Sequence, residues 1–204
     1  VRENGGDANK SCGFHIHWGV SDWRIKKFRN FYKRWGKFEK GIDLLMPLSR
    51  RDDNAYYTRS VYTNAVPLHS TQNIDQTVSK FWNVIDRCRS LTQLRNAVQG
   101  TGRYNKLNIQ KFHRTGTVEI RHHSGTFNED KVVGWIELTG SLVADTDNSK
   151  ALKAWTGSVD AKKVLDTLLG ATVRVGGISS ATRTFLKKRA KELQARIDAN
   201  QTEA

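Results

Sequence analysis

Cysteine is scarce in this chain. Cys12 and Cys88 are the only two, too few for a disulfide framework, and neither has a CxxC-type partner for zinc. Both are read as reduced thiols, which points to a cytoplasmic location. No apolar run is long enough to cross a bilayer, and no signal-peptide pattern opens the chain. Internal repeats and low-complexity linkers are also missing. Acidic residues are outnumbered, 20 against 34 Lys and Arg, for a net charge of +14 and a pI near 10.0. Such an excess attracts polyanions: nucleic acid, an anionic membrane face, or nucleotide phosphates.

What is present suits one domain with a real core. The chain has 204 residues, 37% of them hydrophobic and 9% aromatic, which excludes a disordered tail; a mean hydropathy of -0.62 marks a polar surface. Val1 opens a polar Val-Arg-Glu-Asn-Gly-Gly segment, from which a fragment or a processed product is expected.

Residues 12–20 (CGFHIHWGV) alternate as a buried strand does, with Phe14, Ile16 and Trp18 on one side and His15 and His17 on the other. In 22–46, Phe28, Phe31, Tyr32, Trp35, Phe38, Ile42 and Leu45 recur at helical spacing, with Asp22 as N-cap and Pro47 as the stop. Lys26, Lys27, Arg29, Lys33, Arg34, Lys37 and Lys40 fill much of the remaining face. Shorter helices are predicted over 74–87 and 90–99, then a strand over 116–123 (GTVEIRHH). A helix starting at Asn128 and two more, over 159–169 and 180–199, complete the chain. Few strands and many helices predict an α+β fold, a small sheet covered by helices.

Residues two apart in a strand share a face, so His15 with His17, and Glu119 with Arg121, can line one sheet surface. Imidazoles, a carboxylate and a guanidinium are costly in an apolar core and suit a cavity wall. A hard cation could take Glu119 and an imidazole, while Arg121 could hold phosphate oxygens through its fork of donors. The bland alternatives are a hydrogen-bonded structural histidine and a surface ion pair.

SCGFHIHWGV resembles the Cys-Gly-Leu-His-Val-His signature of the amidoligase family. RYNKLNIQKFHRTGTVEIRHHSGTFNEDKVVGWIELTGSLV resembles the second block of that family, and PLSRRDDNAYYTRS its Arg-Arg-x-Asn-x-Tyr segment. The resemblance covers residues 5–143. It implies an ATP-dependent carboxylate–amine ligase with a glutamine-synthetase-like fold, in which an antiparallel sheet holds ATP and Mg2+. Substrates would be a carboxylate and an amine, on a small molecule or a peptide. Carried onto this chain, it implies that Glu119 and His15 bind metal and that Glu119 and Arg121 are catalytic. His15, His17, Arg121, Arg50, Arg51 and Asn108 would then contact nucleotide, phosphate or substrate. The implied domain is a single catalytic unit over 1–204, with 150–204 a helical extension.

One departure stands out. The family begins with a strand carrying a Glu-x-Glu pair, whereas only Glu3 and Asp7 precede Cys12 here. A missing N-terminal segment, a partner chain supplying it, or a dismantled site would each account for that. The alternatives to a ligase are an inactive ligase-like scaffold in a larger assembly and a basic nucleic-acid-binding module built on the aromatic and basic helix over 23–46.

Overall fold

The computed structural model describes residues 5–9, 11–51, 56–66, 73–100, 102–146, 152–174 and 177–202. Val1 and Glu3 lie outside the described residues, as does part of the arginine-rich loop. Strand β1 (Gly13–Gly19) leads into the long helix α1 (Ile25–Asp43), and a 3₁₀ turn follows at Leu48–Arg50. Helices α2 (Ile74–Arg87) and α3 (Leu91–Val98) precede strand β2 (Leu107–Asn108), the short helix α4 (Phe112–Thr115) and strand β3 (Thr117–Ser124). Helices α5 (Glu129–Ala144), α6 (Ala161–Arg174) and α7 (Ser180–Thr202) complete the described elements. The order in the sheet is β1-β3-β2, antiparallel throughout, so the fold is α+β.

Helix α1 is the centre of the core. Its apolar stripe, Phe28, Phe31, Tyr32, Trp35, Phe38 and Ile42, is buried, as an amphipathic helix packed on its own sheet requires. Base stacking by those rings is thereby removed from the nucleic-acid reading. Several basic residues of the other face are also engaged. Lys33 Nζ lies 2.8 Å from an Asp86 oxygen, and Lys37 donates to the Lys153 carbonyl at 2.6 Å while lying over the Trp155 ring.

Both helix ends differ from the sequence reading. Asp22 is not the N-cap; Arg24 holds that position in extended backbone, and Asp22 accepts from Lys27 Nζ at 3.3 Å. Trp23 causes the delay, because its ring must turn inward to meet Phe28 and Phe31 at 5.3 and 5.5 Å. At the other end the helix stops at Asp43, and Leu44 to Met46 tighten into i−3 hydrogen bonds before Pro47.

The sheet register sorts the faces. Ile16 pairs with Ile120, Trp18 with Val118 and Leu107 with Ile120, which sends these side chains toward the helices. His17 pairs with Glu119, and Asn108 with Glu119, on the opposite face. Among the described residues β1 is an edge strand with both histidines exposed, not a buried strand as predicted. Between Phe14–His123 and Ile16–Ile120 the register shifts by one, so Arg121 and His122 oppose the single residue His15. This bulge breaks the alternation, and consecutive His122 and His123 are both buried.

Beneath the sheet lies a buried ionic cluster. Lys106 Nζ is 3.1 Å from Glu39 Oε1 and 2.6 Å from Asp43 Oδ1, and His122 Nε2 is 2.8 Å from the same Asp43 oxygen. The C-terminal segment shares the core, with Val164, Leu168 and Leu169 of α6, Ile178 between the helices and Leu186 of α7 joining residues of α1 and α5.

α1 and α6 touch at Gly41, where a Cβ would stand 2.5 Å from the Leu165 backbone nitrogen. Glycine to alanine in an open helix gains about 1 kcal/mol. Here the obstacle is backbone, which no rotamer change relieves. Gly41→Ala is therefore expected to lower stability by about 1–3 kcal/mol in urea unfolding. A gain in stability would show that the two helices do not cross this closely.

Candidate functional site

The polar face of the sheet converges on Glu119. Arg121 Nη1 donates to Glu119 Oε1 at 2.6 Å, and Asn108 Nδ2 donates to Oε2 at 2.8 Å. His15 Nδ1 stands 3.2 Å and His17 Nε2 3.7 Å from Oε1. His15 Nδ1 also lies 3.4 Å from Arg121 Nη1. Arginine only donates, so this nitrogen cannot serve both neighbours, and the shorter carboxylate contact favours a proton on Nδ1. Burial alone would raise the Glu119 pKa. The His15 hydrogen bond, the Arg121 charge and the Asn108 amide outweigh it and hold the pKa down at about 2.

Supporting residues orient this group. Asn108 Oδ1 accepts from Gln99 Nε2 at 3.0 Å and from the Gln110 backbone N–H at 2.8 Å, which turns its amide nitrogen toward Glu119. Gln99 Oε1 in turn accepts from the Ile109 N–H at 2.9 Å. Sequence reasoning missed Gln99. As a single glutamine just past a helix it carries no motif, and its buried place at the end of α3 emerges only on folding. Thr117 was missed too; its hydroxyl lies 3.0 Å from His17 Nδ1.

The other predicted residues divide. Arg50 flanks the group: it donates to the Cys12 carbonyl at 2.8 Å, and its pKa is lowered by burial and then by the nearby Arg121 charge. Arg51 does not join. Its guanidinium turns inward, donating to the carbonyls of Met46 at 2.7 Å and Leu44 at 3.3 Å and to Gln194 at 3.3 Å. A cation there satisfies carbonyls that the end of α1 leaves without helical partners. His123 also faces inward, where burial pushes its pKa down to about 4.

Magnesium does not fit this set as it stands. It demands near-octahedral oxygen ligands, whereas the cluster offers one carboxylate already bound by Arg121 and Asn108. Among the described residues, no group of three or more His, Cys, Asp or Glu side chains is placed to hold a metal ion. An anion is the better match. Arg121 still has a buried Nε without a hydrogen-bond partner, and Arg50 adds a second guanidinium.

These features define an α+β fold presenting imidazoles from β1, a carboxamide from β2, and a carboxylate and a guanidinium from β3 on one open face. Residues 1–143 match the family model described as "Putative amidoligase enzyme", and the chain belongs to that amidoligase family. No curated protein and no solved structure matches the chain. Among the described residues, no helix is long and apolar enough to cross a membrane.

Proposed function

We propose that this chain carries out ATP-dependent joining of a carboxylate to an amine, with the Glu119–Arg121 face binding the reacting phosphates. Its sheet would then be the antiparallel sheet of a glutamine-synthetase-like ligase. Membership of the amidoligase family supports the reaction class. The observation that carries the site is the Arg121–Glu119–Asn108 arrangement on the open side of the sheet.

The chemistry asks for positive charge more than for covalent help. A carboxylate oxygen of the substrate attacks the γ-phosphorus of ATP, the bond to the bridging oxygen breaks, and ADP leaves. The amine nitrogen then attacks the acyl carbon, inorganic phosphate departs with the acyl oxygen, and the nitrogen gives up a proton. Negative charge spreads over the transferring phosphoryl group, where a positioned guanidinium stabilises it. Arg121 supplies that charge, and Glu119 fixes its orientation from beside it. The exposed pair His15 and His17 stands at the rim, placed to accept the amine's proton. A reducing, cytoplasm-like compartment suits the two free thiols, Cys12 and Cys88.

ATP titration calorimetry tests this reading. Arg121→Ala is expected to weaken ATP binding by roughly tenfold to a hundredfold, the range for hydrogen bonds to charged groups. Glu119→Ala should weaken it less, by freeing Arg121 from its anchor. Unchanged affinity in both variants would overturn the assignment.

A further inference from the structure

Beside the phosphate-facing residues lies a group that the proposed chemistry does not use. Tyr56, Tyr57 and Tyr104 gather their rings at one place. The centroids of Tyr56 and Tyr57 are 4.8 Å apart at 87°, those of Tyr56 and Tyr104 5.4 Å apart at 35°, and those of Tyr57 and Tyr104 5.6 Å apart at 85°. Edge-on contacts of this kind hold rings in a fixed orientation. Yet much of the surface of two of them stays open. Tyr56 is 61% exposed, the highest value for a large hydrophobic side chain among the described residues, and Tyr57 is 43% exposed. Tyrosines packed only for stability would be expected to bury more of their rings.

Guanidinium groups outnumber carboxylates around them, with Glu119 pairing with Arg121 at 2.6 Å. The Arg103 guanidinium carbon lies 5.1 Å from the centroid of the Tyr104 ring, and that of Arg121 lies 5.8 Å from the same ring. Tyr104 thus links the aromatic group to the guanidinium that faces Glu119. Arg50 is close enough to both Arg121 and Tyr57 for their charges to act on it. The guanidinium excess disfavours a cationic amine, and a neutral aromatic could stack here but would leave that excess charge unmatched. A planar ligand carrying several negative charges uses both features.

We propose that Tyr56, Tyr57 and Tyr104 form a stacking platform for the purine base of a nucleoside triphosphate whose phosphates reach Arg121. This inference rests on the ATP reading above and extends it to the base. Every purine has a π-face, so the platform accepts the base by stacking, while Arg121 and Arg103 draw the phosphates to its side. Tyr104, half-buried, sets the floor; Tyr56 and Tyr57 supply the open faces.

Calorimetry with ATP and with inorganic tripolyphosphate separates the base from the phosphates. The double variant Tyr56→Ala/Tyr57→Ala is expected to bind ATP roughly five- to a hundredfold more weakly, the span of base–aromatic stacking, and to bind tripolyphosphate as the unaltered chain does. The double variant Tyr56→Phe/Tyr57→Phe keeps the rings and should retain ATP affinity. If the alanine pair binds ATP as tightly as the unaltered chain, or loses both ligands equally, the platform is refuted and the phosphate site stands. If the unaltered chain binds neither ligand, both readings fall.

Discussion

Lys106→Met is expected to remove about 3–5 kcal/mol of stability at neutral pH, much of what a domain of this size ordinarily has. Lys106 is completely buried and is the cation between Glu39 and Asp43, which sit one helical turn apart on α1. Burial by itself would lower the lysine pKa, but the two carboxylates outweigh it and hold the group above its ordinary value. Burial likewise pushes Asp43 up, while Lys106 and His122 bring it below the usual carboxylate range. Without the ammonium group, two carboxylates face each other in a dry interior, and one must take up a proton. The sign of the pH dependence follows. A carboxylate whose folded pKa is raised contributes stability below its unfolded pKa and loses it as the pH rises. The variant should therefore be more destabilised at pH 8 than at pH 5 in urea titrations. Adding Glu39→Gln should recover part of the loss by removing one of the competing charges. Wild-type stability at pH 8 would show that the cluster is not ionised as drawn. The effect should also reach the site, because the Arg121 N–H donates to the Lys106 carbonyl at 2.8 Å.

The second large effect concerns acid. Glu119 titrates at about 2 rather than at its ordinary 4.5, so its ionised form is favoured by folding. With the folded pKa depressed, this contribution is complete above the unfolded value and is lost as the pH falls through about 2. The shift corresponds to about 2–3 kcal/mol once solvent screening is allowed for. Glu119→Gln keeps the shape and removes the charge. It should be less stable than the wild type by about that amount at pH 7, and the gap should close toward pH 2. A gap that stays constant with pH would mean that the carboxylate's charge contributes nothing to folding. Loss of Asn108 should narrow the gap as well, since its amide is one of the groups that favour the ionised form.

Much of this could be read from residue order. The apolar stripe of α1 and the span of α2 follow from spacing, and the predicted helix over 74–87 coincides with Ile74–Arg87. Asn128 caps α5 by accepting from the Lys131 N–H at 2.9 Å, as a short polar residue before an apolar stripe suggests. Alternation placed His15 with His17 and Glu119 with Arg121, and the register then set the two pairs side by side. Strand β2 went unread because two residues, Leu107 and Asn108, are too short to show a period. Arg51 stood beside Arg50 in a motif, yet the close of α1 draws its guanidinium toward backbone carbonyls.

The amino-acid sequence by itself determined the longer helices, the two longer strands and the face on which each polar pair lies. Those properties depend on neighbours within a turn of helix or a few strand residues. Only the tertiary structure decided which charged groups meet. Lys106 finds Glu39 and Asp43 from 67 and 63 residues away, and Arg121 lies 106 residues beyond His15. A charge becomes a buried counter-ion or an open binding group according to what stands across the sheet from it. Spacing along the chain carries no record of that partner.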